Sequence, residues 1–339
     1  MNPWQPRLSY IAWRSRFFCT EQQREARQKL SPSSYILFQR APANKLQTNL
    51  RRCTVLKDLV ALTKPRIIRL NAIAAFGGYW VASKWNIDGW TFLWMLLGSA
   101  LTMASACVFN NFLDRDFDKK MARTRDRALP QGRMQPQSVL IYAIILGIAG
   151  LAVLFGLVNA LTGWLGLLGI FVYVVIYTMW LKRNSTWSTS VGGISGAMPP
   201  VIGYCAVTGE IDAGAWILFA LLFLWQPAHF WSLAIRRVEE YRAAGFPLLP
   251  VVKGILRTKK QMLPYILLLL PASVLMYTYG YVGIYFLILS LALALIWLVH
   301  TLLGFRTKDD DRWAKVNFII SINYLMIVFV VMILDTTHI

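Results

Sequence analysis

Four stretches of this chain, Trp90 to Val108, Val139 to Val158, Ile266 to Tyr279 and Ile284 to Leu303, are almost free of charged side chains. Runs of this kind approach the ~20 residues that a helix needs to cross ~30 Å of hydrocarbon. Inside hydrocarbon every backbone N–H and C=O must find its partner within the protein, and long unbroken apolar runs meet that demand as helices. The composition agrees, since 57% of the 339 residues are hydrophobic and only 15% are charged, against about 25% charged in a soluble domain. The reading is an all-α polytopic membrane protein with nine spans, at approximately 67–83, 90–110, 138–158, 162–181, 190–208, 213–235, 262–279, 281–303 and 313–334. The fifth is Gly-rich and carries Pro199-Pro200, which predicts a kink.

The formal charge of +19 would point to nucleic acid in a soluble chain. Here the basic residues crowd into a tail and into alternate short loops, so no nucleic-acid partner is expected and the partner is the lipid bilayer. With nine spans, 34 of the 35 Lys and Arg fall on one face, leaving Lys84 on the other with Asp88, Glu210, Asp212 and Asp335. That asymmetry places the amino terminus in the cytoplasm, or the matrix, and the carboxyl terminus on the far side. Residues 1–57 carry eleven basic residues against Glu21 and Glu25 and no apolar run long enough to span. They read as a basic extension ahead of a membrane domain at 58–339; a mitochondrial transit peptide, a cytoplasmic tail or a misassigned start would share this composition. Cys19, Cys53, Cys107 and Cys205 form no CxxC pair, and no disulfide framework or zinc site is expected.

Polar residues enter the apolar pattern at few places. Asn110, Asn111, Asp114 and Asp118 continue the second span, and a helix would stack them on one face at i, i+4 and i+8. Carboxylates one turn apart need a cation between them, and hard oxygen donors suit Mg²⁺, commonly completed by substrate phosphate. Lys119, Lys120, Arg123, Arg125, Arg127 and Arg133 follow, a set of cations suited to an oligoanion such as diphosphate. Positive-inside bias alone would also put them there. A second constellation surrounds His229, with Arg236, Glu240 and Tyr241 beyond it; His229 is read as a structural residue, a haem-iron ligand or a proton carrier. Lys64, Arg66 and Asn71 begin the first span, and Tyr173, Tyr177, Lys182 and Arg183 close the fourth. The tyrosine rings could face a carbocation, or anchor the helix at the interface.

The blocks LTKPRIIRLN (62–71), NNFLDRDFDKKMARTRDRALPQGR (110–133), LKR (181–183), GGISGAMPPVIGY (192–204) and WQPAHFW through EEYRAAGFPLLPVVKG (225–254) resemble the UbiA superfamily of intramembrane prenyltransferases. Asn111 in the second position of the NDxxDxxxD motif resembles its haem-modifying branch rather than its quinone branch. The resemblance runs from about residue 62 to the carboxyl terminus and implies nine helices around a central cavity. It implies farnesyl diphosphate and protohaem IX (haem B) as substrates, Mg²⁺ as cofactor, and haem A synthase as a candidate partner. The carried-over metal donors are Asn110, Asp114, Asp118 and Glu240, with Asn111 beside them in the catalytic motif. Lys64, Arg66, Arg123, Arg127, Lys182 and Arg183 would take the diphosphate, and Asn71, Tyr173, Tyr177, His229, Arg236 and Tyr241 the haem or prenyl chain. The second acidic motif departs from DxxxD: Ala244 stands where a second acid would follow Glu240. The expected setting is the bacterial plasma membrane, ahead of the mitochondrial inner membrane. The alternatives are a transferase acting on an aromatic quinone precursor, and a transporter or haem carrier, which would need openings to both faces.

Overall fold

A computed structural model describes residues 55–337. The readings of 1–57 as an extension, and of Cys19 and Cys53, lie outside the described residues, save for positions 55–57. Nine long helices make up the described part: α1 Pro65–Ser83, α2 Gly89–Leu113, α3 Pro136–Leu157, α4 Ala160–Asn184, α5 Ser188–Thr208, α6 Ala213–Arg236, α7 Gly254–Thr278, α8 Ile284–Leu303 and α9 Asp310–Leu334. Among the described residues there is no strand, only an isolated bridge between Val282 and Thr336.

Eight of the nine, α2 to α9, are long and apolar enough to cross a membrane. The correction concerns α1, which has 19 residues but carries Arg66, Arg69 and Asn71 in its first two turns and so falls short in apolarity. The kink in the fifth span is present: the helix breaks at Ala197, between Ser188–Gly196 and Met198–Thr208. α7 starts eight residues earlier than its apolar run, because Gly254, with φ +78°, turns the chain directly into a helix that carries Arg257, Lys259 and Lys260 out of the apolar zone.

With little hydrophobic force to drive helices together in lipid, close backbone approach through small residues holds them. α2 and α3 mesh where Gly150 meets the Thr102 amide and where Ser105 Oγ donates to the Ala143 carbonyl at 2.7 Å. α1 and α5 meet backbone to backbone: a Cβ on Gly203 would stand 1.9 Å from the Ala75 oxygen, and one on Gly78 2.0 Å from the Pro200 oxygen. α6 packs on α5, α7 and α9, and α9 also touches α1, closing the bundle. Burial follows: 67% of the apolar stretch of α6 is enclosed, against 28% for α3 and α8, whose Ile145, Ile148, Ile288 and Ile296 point outward. α6 is thus the inner helix, and its last turn delivers the chain to the basic loop at 237–253.

Candidate active site

α2 runs past its apolar stretch and ends at Leu113; Asp114, with ψ near 1°, interrupts it before the short helix Arg115–Asp118. Asn110, Asn111, Asp114 and Asp118 are all buried, at 2–5% exposure. Carboxylates enclosed to that degree need cations, and these arrive from distant parts of the chain. Lys182, at the end of α4, pairs with Asp114 Oδ2, and Arg127 Nη1 lies 2.7 Å from Asp118 Oδ2. Lys64 Nζ donates to Asn110 Oδ1 at 2.6 Å. The amide of Asn110 donates in turn to Asp114 Oδ2 at 2.8 Å and to Thr178 Oγ1 at 3.3 Å.

Lys64 has φ 55° and ψ 64°, the left-handed conformation that a non-glycine residue adopts at a cost. Pro65 follows and disfavours the right-handed region for its predecessor. Burial, with Arg127 and Lys182 close by, lowers its ammonium to about 8, so the amine sits among charges that crowd it.

The four residues of the expected face divide. Asn110, Asp114 and Asp118 belong to the charged cluster, whereas the Asn111 amide donates to the Leu62 and Cys107 carbonyls, at 2.9 Å each. It ties the segment before α1 to α2. The basic run divides as well: Lys119 pairs with Asp116 at 3.0 Å, Arg133 makes a two-point bond to Asp58 at 2.9 Å, and Arg123 and Arg125 are exposed.

A roof covers the cluster. Gly245, at φ +81°, ends the helix Val238–Ala244 in a left-handed cap that a side chain would resist. The turn sets Phe246 against Phe117, stacked at 4.9 Å, and 4.7 Å from Lys182 Nζ. Met121, Ala234, Ala244, Phe246 and Leu248 form an apolar cluster that joins the two basic loops. Below it, Val172–Leu181 of α4 is a π-helix, in which Thr178 Oγ1 donates to the Tyr173 carbonyl at 2.8 Å. The Tyr173 and Tyr177 rings lie 5.5 Å apart, with Lys182 Nζ 5.9 Å from the Tyr177 ring. π-turns in helices are frequent at functional sites.

The second constellation reaches the first through Tyr241, a half-buried residue close to Tyr177, Arg123 and Lys182, whose phenol is pushed up by burial and by Tyr177. Glu240 faces Arg237 at 3.0 Å. Arg236 reaches Asp311 of α9 at 3.4 Å, Asn71 bonds its own helix at the Ile67 carbonyl, and Arg66 is exposed. His229 is placed in the α6–α9 contact: its ring is sandwiched between Trp225 and Phe318, at 4.4 and 4.5 Å, and Nδ1 lies 2.7 Å from Ser321 Oγ. Arg183 donates to the Leu113 carbonyl at 2.9 Å and stacks over Phe117. Thr178 escapes sequence reasoning, and Phe117 and Phe246, although they stand inside the blocks 110–133 and 225–254, carry no local sign that their rings meet.

Among the described residues, no three His, Cys, Asp or Glu side chains converge as a ready metal shell. One observation favours a cation nonetheless: Asp114 Oδ1 is buried and has no hydrogen-bond partner. An unmet carboxylate oxygen at such depth is costly, and two Asp carboxylates with an Asn amide oxygen nearby are the hard donors that Mg²⁺ takes alongside phosphate oxygens.

The chain is similar to known proteins along most of its length. Residues 71–323 match the UbiA prenyltransferase family. The protein named protoheme IX farnesyltransferase 1 of Bacillus subtilis is 47% identical over 289 residues, 82% of this chain and 90% of that protein. The protoheme IX farnesyltransferase of Klebsiella pneumoniae is 45% identical over 279 residues, 82% and 95% of the two chains. Among solved structures, one of a digeranylgeranylglyceryl phosphate synthase superposes with a TM-score of 0.71 at 20% identity, covering 83% of this chain and 98% of that one. A UbiA homologue from Archaeoglobus fulgidus bound to DMAPP and Mg²⁺ gives 0.58 at 17% identity, covering 81% and 99%. At these identities the structures establish the fold.

Proposed function

Since this chain belongs to the UbiA prenyltransferase family, we propose that it transfers the farnesyl group of farnesyl diphosphate to a vinyl group of protohaem IX, with addition of water, giving haem O and diphosphate. The names of relatives about 45% identical support the choice of substrates. The observation that carries the site is the buried Asp114, with one oxygen unmet and with Lys64, Arg127 and Lys182 gathered around it.

Asn110, Asp114 and Asp118 would supply oxygen donors for Mg²⁺, which when bound would neutralise the departing diphosphate, and Glu240, which faces Arg237, would serve a separate ion rather than join that shell. The remaining chemistry rests on side chains of this protein. Lys182 and Arg127 hold the two aspartates and Lys64 holds Asn110; with substrate in place the same cations turn to the diphosphate oxygens, joined by Arg66, Arg123 and Arg183. They stabilise charge that develops on the leaving group as the C1–O bond breaks. Tyr173 and Tyr177 present ring faces to the allylic cation, and the roof of Phe117 and Phe246 keeps water from it. The haem vinyl group attacks C1, water then captures the porphyrin-conjugated cation, and the proton that this water loses leaves with the diphosphate. Asn71, His229, Arg236 and Tyr241 serve the haem or the prenyl chain, and Asn111 holds the backbone before α1. α1 completes a nine-span topology with the amino terminus cytoplasmic in a bacterial plasma membrane, where a haem A synthase would receive the product.

The test is a purified reaction of the full chain with haem B, farnesyl diphosphate and Mg²⁺, read by mass spectrometry of the extracted haem. Haem O is expected. No haem product, or prenylation of 4-hydroxybenzoate in its place, would move the chain to another branch of the family. His229→Ala examines the iron contact: unchanged haem binding and turnover would make His229 structural.

A further inference from the structure

A second site lies where α8 turns into α9, sharing no residue with the aspartate cluster. The turn borders an open cleft of about 470 Å³, in whose lining Lys308, Asp309 and Arg312 meet Trp313, Leu303 and Val316. Its back wall is closely packed. The Trp313 indole is buried, donates to the His300 carbonyl at 3.0 Å and lies parallel to the His300 ring; a Cβ on Gly304 would meet it at 2.4 Å. Its apolar edge opens outward, with Leu303 57% and Val316 39% exposed on the outer sides of α8 and α9.

The charges around the cleft are sorted unevenly. Three consecutive acids follow Lys308; two are engaged outside the cleft, and the third, Asp309, lines it with its carboxylate taken up by the first turn of α9. Asp309 accepts from the Arg312 amide at 2.9 Å as the cap of α9, Asp310 pairs with buried Lys259, and Asp311 reaches Arg236. Lys308 and Arg312 themselves are exposed in the cleft, and no ion pair is formed by either among the described residues. The site therefore offers two cations against the one capped carboxylate of Asp309, an aromatic wall, and an apolar edge toward lipid. It stands on the face that collects the basic residues. A free anion would use only the cations, whereas an amphiphile with a phosphate head uses both the cations and the edge.

We propose that this cleft binds the phosphate head of an anionic phospholipid, with Lys308 and Arg312 on the phosphate oxygens and an acyl chain over Leu303 and Val316. Basic pockets between spanning helices are suited to such heads.

The full chain, purified in detergent, is incubated with phosphatidylglycerol, phosphatidylcholine or inorganic phosphate, and bound lipid is counted by native mass spectrometry. Phosphatidylglycerol should bind best, and Lys308→Ala with Arg312→Ala should weaken it about thirtyfold, while farnesyl transfer persists. The exchange Lys308→Arg with Arg312→Lys should restore binding. Equal retention by the double-alanine variant would overturn the proposal, as would full displacement of the lipid by inorganic phosphate. A photoreactive phosphatidylglycerol needs no variant: label should fall on the peptide spanning 303–316, and label confined to other segments would contradict the assignment.

Discussion

Replacing Lys182 by Met removes the cation that meets Asp114, and the structure sets the expected scale. The aspartate is 2% exposed, with one oxygen already unmet, and keeps only the Asn110 amide. Breaking a buried pair from the cation side costs about 3–5 kcal/mol, because it strands a charge; the Lys182 side chain retains 15% exposure, so about 3 kcal/mol is the apt figure. The reciprocal change, Asp114→Asn, leaves the ammonium with an amide oxygen and the Phe246 face, and should cost about 1 kcal/mol. The double variant strands nothing, so its loss should fall below the sum by about 2 kcal/mol, a coupling typical of residues in contact. Melting in detergent measures this cycle. Turnover behaves differently: all three variants should drop to a common floor, about 10²–10³ below the parent, because the pair acts as a unit on the leaving group. Stability losses that add to within about 0.5 kcal/mol, or an Asp114→Asn protein that turns over normally, would refute the reasoning.

Three further outcomes follow from single contacts. Thr178→Val removes the hydroxyl between the Asn110 amide and the Tyr173 carbonyl; turnover should fall about tenfold, the effect of one lost hydrogen bond, and Thr178→Ser should restore it in the same steady-state assay. Gly203→Ala would drive a methyl to 1.9 Å from the Ala75 oxygen and should destabilise the α1–α5 contact by about 3 kcal/mol, seen as a lower melting temperature with Gly156→Ala, in open space on α3, as the comparison. Asp88 caps α2 through the Thr91 and Trp90 amides, and the Thr91 bonds chiefly hold its carboxyl below the usual range. Its stabilisation is therefore full above the pKa of an unfolded aspartate and is lost as pH falls through the lower folded value. The melting gap between the parent and Asp88→Ala should close on acidification.

Much of the fold was legible because hydrophobicity is local: a run such as Pro136–Leu157 announces its helix without knowledge of any neighbour. α1 was harder, since Arg66, Arg69 and Asn71 are polar residues that the apolar count penalises although the helix forms. Asn110, Asp114 and Asp118 could be placed together from spacing alone, as neighbours along one chain direction. Their cations could not be assigned that way, because Lys182 lies 68 residues from Asp114 and Lys64 lies 46 from Asn110. Composition could nominate the basic run but not sort it, so that Arg127 goes to Asp118 while Arg133 goes to Asp58. The π-helical stretch of α4 was equally silent, since its residues read as an ordinary apolar helix while the backbone shifts by one position.

The central claim is that the carboxylates at the end of α2 hold a metal-bound diphosphate. Mn²⁺ in place of Mg²⁺, added with farnesyl diphosphate to the full chain, tests this by pulsed electron paramagnetic resonance through coupling of the metal to phosphorus. A strong ³¹P coupling is predicted in the parent and should vanish when Asp114 and Asp118 are both changed to Asn. Coupling that survives in that variant would place the metal-bound diphosphate elsewhere and contradict the account.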